Sequence, residues 1–134
     1  MAGTDRDRLI MEANYLRQQA QEIDAQAQQL ASLLAENQAA QASLDALEKA
    51  HAAKSSEAWL SPIGAGVFTR SKPSGESVVV EVGSRVARDA TPTEAKAILA
   101  ERAHAIEKAL GEARSALTQT LQRMDALGAM AGMQ

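Results

Sequence analysis

The sequence predicts a mainly α fold: a long antiparallel coiled-coil hairpin of two helices, with a short β-rich block between them. Three observations predict it. Alanine supplies 29 of the 134 residues, while Tyr15, Trp59 and Phe68 are the only aromatic ones. Alanine is the best helix former and buries little area, which favours closely paired helices over a spherical core. All six valines lie between Val67 and Val86, and Pro62, Pro73 and Pro92 fall in or beside that stretch. β-Branched residues favour strands and proline breaks helices, so the middle is not helical. Finally, both flanks carry apolar residues at alternating spacings of four and three.

In the first flank the seam runs Leu9, Ala13, Leu16, Ala20, Ile23, Ala27, Leu30 and Leu34. That is the heptad pattern of a left-handed coiled coil. It then meets Asn37 and resumes at Ala40, Leu44, Leu47 and His51, so the steps 34→37→40 form a stammer that overwinds the coil. Asn37 either specifies register from a buried seam position or is turned outward by that stammer. Thr4 is the expected N-cap, with Asp7 in the first turn, and the helix is expected over residues 5–54.

The block at 57–90 reads as short strands at 58–60, 66–71, 77–82 and 85–88. Lys72-Pro73-Ser74-Gly75-Glu76 is a turn sequence, which predicts that the second and third strands pair as a hairpin. Val78, Val80 and Val82 share one face, with Val79 and Glu81 on the other. An isolated hairpin is marginal in water, so the block is expected to pair with other subunits.

The second helix is expected over 92–132. Thr91-Pro92-Thr93-Glu94 supplies an N-cap, a proline at the first helical position and a capping-box glutamate. Its seam is Leu99, Ala103, Ile106, Leu110, Ala113, Leu117, Thr120, Met124, Leu127 and Ala131, and Gly111 beside it costs about 1 kcal/mol relative to alanine. One domain over 1–134 follows.

Composition also excludes functions. A net charge of −3 without a basic stripe gives nucleic acid no footprint. No apolar run reaches the ~20 residues of a membrane span, and the charged first eight residues are unlike a signal peptide, so a soluble cytoplasmic protein is expected. No cofactor is implied. Gly64-Ala65-Gly66 precedes a strand rather than a helix, which suits a tight bend and not a phosphate loop. With no cysteine, and with His51 and His104 alone on separate helices, no metal set forms. Glu36, Glu48, Glu101, Glu107 and Glu112 read as solvated charges on outer helix faces, so no catalytic residue is expected.

Methionine is distributed unevenly. Met1, Met11, Met124, Met130 and Met133 all lie in the first or last 11 residues. An antiparallel hairpin brings those stretches together, along with Leu9, Ile10, Leu121 and Leu127. Flexible, polarizable thioethers suit a surface that adapts to many apolar partners.

The run Trp59-Leu60-Ser61-Pro62-Ile63-Gly64-Ala65-Gly66-Val67-Phe68, followed by Val78-Val79-Val80-Glu81-Val82-Gly83, resembles the double-hairpin region of the prefoldin family, and within it the α-type subunit. Arg85 stands where that family often has a second glycine, and Ala87-Arg88 where it often has Val-Glu. The resemblance implies a helix, two β-hairpins and a helix. It implies assembly with β-type subunits, two α with four β, through Leu60, Ile63, Val67, Phe68, Val78, Val80, Val82 and Val86. It further implies ATP-independent capture of unfolded polypeptides at the coil tips and delivery to a group II chaperonin. Leu9, Ile10, Met11, Met124, Leu127, Met130 and Met133 would make the client contacts. The competing reading is a structural or adaptor coiled coil that bridges fixed partners.

Overall fold

The computed structural model describes residues 2–130 and residue 132. The elements follow in the order α1 (Ala2–Ala52), β1 (Trp59–Gly64), β2 (Val67–Ser71), β3 (Val78–Gly83), β4 (Val86–Ala90) and α2 (Pro92–Met130). Helix α1 starts ahead of the expected Thr4 cap, with Asp5 in its first turn, where a negative charge complements the exposed amide groups. The chain divides into two units, residues 1–35 with 104–134, and Glu36–Ala103.

In the first unit the early part of α1 and the later part of α2 run antiparallel. Ala27, Leu110 and Ala113 form a buried cluster, and Ile23, Leu30, Ala31 and Leu34 pack against it. Leu16, Ala20 and Leu127 are buried as well, and Leu9, Ala13, Ile106, Leu117 and Met124 are half-buried, so the heptad seam is the packing line. Small alanines let the backbones approach while leucines fill the gaps, each fully buried leucine contributing about 2 kcal/mol. Thr120, the polar member of the second seam, is accommodated because its hydroxyl donates to the Ala116 carbonyl at 2.8 Å. Arg123 also reaches Glu12 at 3.3 Å across the two helices.

The second unit holds the β block. Helix α1 ends where Ser55 N donates to Ala50 O at 3.0 Å and Lys54 N to His51 O at 3.1 Å, with Lys54 left-handed at φ 52. That paired arrangement satisfies the last helical carbonyls. Helix α2 opens as its sequence requires: Thr91 Oγ1 accepts from Glu94 N at 3.1 Å, and Pro92 follows the cap. The Glu94 carboxylate does not complete the reciprocal box. It lies 3.9 Å from Arg88 instead.

The strands pair as β1 with β2 and β3 with β4, both antiparallel, in two separate two-stranded sheets. The expected pairing of the second and third strands across residues 72–76 is therefore wrong. The reversals occur at Ala65-Gly66 (φ 51 and 79) and Ser84-Arg85 (φ 50 and 62). Two successive left-handed residues twist the chain in the sense that flanking strands need, so these two-residue loops make the tighter hairpins. The proline-containing segment between β2 and β3 is a connection that packs back on α1. There Gly75 is buried at φ 74, and a Cβ on it would lie 2.6 Å from the Cβ of His51. His51 is thus exposed and covers this loop rather than closing the seam.

Each hairpin carries a bulge just before its loop. Pro62 faces Phe68 but Gly64 faces Val67, leaving Ile63 without a partner. Likewise Glu81 faces Ala87 but Gly83 faces Val86, leaving Val82 unpaired. A bulge bends its strand and re-aims the extra side chain.

Candidate interaction surfaces

The two hairpins use their apolar residues differently. Val80 is buried and Val78 half-buried against Ala90, Ala95, Leu44 and Ile98. These two valines, expected at a subunit interface, instead hold the second hairpin on its own helices. The residue between them points the other way: Val79 is 70% exposed. Val79 was not among the expected assembly residues, although strict alternation with half-buried Val78 and buried Val80 is the signal that finds it. Val82 escapes burial because of the bulge and is exposed, as is Val86. Arg102 Nη2 donates to the Glu81 carbonyl at 2.7 Å, immediately before that bulge.

The first hairpin keeps almost nothing for itself. Leu60, Ile63, Val67 and Phe68 are all exposed, Ile63 by 70%. Its sheltered contacts are a hydroxyl pair, Ser61 Oγ to Ser71 Oγ at 2.7 Å, and the half-buried Trp59. A two-stranded ribbon with large side chains on both faces cannot bury them alone.

In the first unit, the paired terminal stretches bring together most of the residues expected at an apolar contact surface. Met11 is 72% exposed and Met130 73%, whereas Leu9, Ile10 and Met124 are half-buried. Leu127 is buried, because its position repeats the heptad, so it serves the helix–helix seam and presents no free surface. Met133 lies outside the described residues. Tyr15 and Leu121 are also exposed in this unit, and Tyr15 accepts a hydrogen bond from Gln19 Nε2 at 3.0 Å.

The polar residues show one departure from expectation. Glu36, Glu101, Glu107 and Glu112 are exposed, but Glu48 is half-buried and joins the two helices. It accepts from Lys96 Nζ at 2.6 Å and from Thr93 Oγ1 at 2.9 Å. The Lys96 ammonium, with help from the Thr93 hydroxyl, holds the Glu48 carboxyl below its ordinary range. Asp45 is lowered too, mainly by Lys49, which lies 3.1 Å away, and secondarily by Lys96. Lys96 is raised in turn by its bond to Glu48. The arrangement is a structural clamp, with both signs balanced and no open cleft. Among the described residues no cluster of three histidine or carboxylate side chains could hold a metal ion. No described helix is long and apolar enough to cross a membrane.

A helix, two hairpins ending in bulged two-residue loops, and a returning helix are therefore in place. The model of a family described as prefoldin subunit matches residues 16–133, nearly the whole of that plan. The chain belongs to the prefoldin family. No curated protein sequence gives a significant match to it. Prefoldins are chaperone-type subunits without enzymatic activity that assemble with other prefoldin subunits. A prefoldin of this form offers two distinct apolar surfaces, one on the hairpins of the second unit and one on the paired helix ends of the first.

Proposed function

We propose that this chain is an α-type prefoldin subunit, an ATP-independent chaperone that holds unfolded polypeptides in the cytoplasm and passes them to a group II chaperonin. The four-strand insert supports the α type, since the β type carries a single hairpin. Leu60, Ile63, Val67 and Phe68 on the first hairpin, with Val79, Val82 and Val86 on the second, are the surface for pairing with β-type subunits, two α with four β. The client surface is Met11 and Met130, flanked by Leu9, Ile10 and Met124.

One observation carries the client reading: two flexible thioethers stand about three-quarters exposed on helix stretches whose seam residues are already satisfied. Such side chains adapt to apolar segments of many shapes. Several subunits acting on one client raise the effective concentration, so weak contacts suffice without nucleotide. Removal of residues 125–134 should abolish suppression of client aggregation while leaving co-assembly with a β-type subunit intact on a sizing column. Unchanged suppression would end the reading. Saturable binding to one folded protein, with no effect on aggregation of unrelated unfolded chains, would establish an adaptor instead.

A further inference from the structure

Met11 and Met130 are sulfur-bearing side chains in a protein that has no cysteine. Thioethers are therefore its only sites of reversible sulfur oxidation. Burial grades them: Met11 and Met130 are 72% and 73% exposed, and Met124, held in the seam, is half-buried. Oxidation requires the oxidant to reach the sulfur, so among the described thioethers the exposed pair reacts before Met124.

We propose that Met11 and Met130 are modification sites at which peroxide-class oxidants switch off the apolar contact surface. In the step, a sulfur lone pair attacks one oxygen of hydrogen peroxide and the O–O bond breaks. The sulfur gains an oxygen to become the sulfoxide, and the peroxide is reduced to water. The sulfoxide is strongly polar, so covering it with an apolar client segment leaves an acceptor without a partner. The seam residues are untouched, so the helix pair persists while its grip is lost. A thiol-dependent methionine sulfoxide reductase would return the sulfur to the thioether and restore the surface. The proposal rests on the client reading above.

The experiment treats the full chain with graded hydrogen peroxide, maps each methionine by peptide mass, and measures suppression of aggregation of an unfolded client. Met11 and Met130 should gain one oxygen before Met124, with circular dichroism unchanged and the concentration for half-suppression rising about tenfold. Reductase treatment should reverse the rise. In Met11→Leu/Met130→Leu protein, the ratio of treated to untreated suppression should stay near one, whatever its starting level. Oxidation of Met124 first, a loss that tracks Met1 or Met133 instead, or suppression that persists with both sites oxidised would overturn the proposal. If the untreated chain shows no suppression at all, it is the client reading that fails, and the mass map still reports the order of oxidation.

Discussion

Asn37 donates from Nδ2 to the main-chain carbonyl of Leu99 at 2.9 Å, and its Oδ1 accepts from Gln41 Nε2 at 2.6 Å. The side chain is buried in the seam at the stammer, so the stammer does not turn it outward. The bond it makes is available only in one axial alignment of the helices in this unit. A leucine there would bury more apolar area and lose that alignment. Asn37→Leu should therefore raise stability to urea by about 1 kcal/mol while loosening register. Loosening is read from cysteines placed at Glu48 and Thr93 and joined by a short bifunctional maleimide, since the Glu48 carboxylate reaches the Thr93 hydroxyl at 2.9 Å. The yield of cross-link should fall in the leucine background. Lower stability together with an unchanged yield would assign Asn37 no role in register.

Gly75 and His51 make a sterically tight pair. Any Cβ at position 75 meets the imidazole stem, and φ 74 is strained for any side chain. Gly75→Ala should cost about 2 kcal/mol. Adding His51→Gly, which removes the Cβ that lies 2.6 Å away, should relieve the collision and leave the backbone strain, so the double-mutant cycle should show a coupling of about 1 kcal/mol. Purely additive losses would mean that the loop can shift away from α1.

Four non-glycine residues, Lys54, Ala65, Ser84 and Arg85, occupy left-handed positions that glycine fills more easily, and two of them test the penalty. Lys54 at φ 52 terminates α1, and Arg85 at φ 62 sits second in the β3–β4 loop. Lys54→Gly and Arg85→Gly should each stabilise by about 1 kcal/mol, since the Cβ penalty in this region exceeds glycine's entropic cost. A rise of roughly 4 °C in melting temperature per substitution is the expected reading. A fall at Arg85 would mean that its side chain makes a contact worth more than the strain.

How much of this was legible in the sequence depends on the range of the interactions involved. Seam residues such as Leu16, Leu110 and Leu127 were readable because burial repeats along a helix with a fixed period. The Thr91 cap was readable because its partner is three residues away. Strand pairing is not legible because Lys72-Pro73-Ser74-Gly75-Glu76 carries stronger turn chemistry than the real loops at Ala65-Gly66 and Ser84-Arg85. Val80 was misassigned to an intersubunit surface because a β face shows that it must be covered, not by what. Glu48 was misassigned because its partners, Thr93 and Lys96, lie 45 and 48 residues away.

Gly111 lies within α2 on an exposed face, and a Cβ there would meet nothing within 4 Å. Alanine restricts the unfolded chain without any clash in the folded one. Gly111→Ala should raise stability by about 1 kcal/mol with no change in assembly. A destabilised variant would reveal a neighbour that appears only in the complex.

The Glu48–Lys96 clamp fixes the sign of the pH dependence at both ends. The carboxyl of Glu48, and that of Asp45 beside it, is lowered in the folded chain. Their contribution is therefore fully present above the ordinary carboxylate value of about 4 and is lost as pH falls through the lowered one. Lys96 is raised, so its contribution is fully present below the ordinary lysine value of about 10.4 and is lost as pH climbs through the raised one. Stability to urea should be flat between these limits and decline on either side. Glu48→Gln and Lys96→Met should each flatten both limbs, because each removes a partner whose titration is tied to the other. Both differences should shrink in about 1 M salt, since the groups are partly open to solvent. Acid limbs that superimpose for the parent and Glu48→Gln proteins would show that other carboxylates govern the transition.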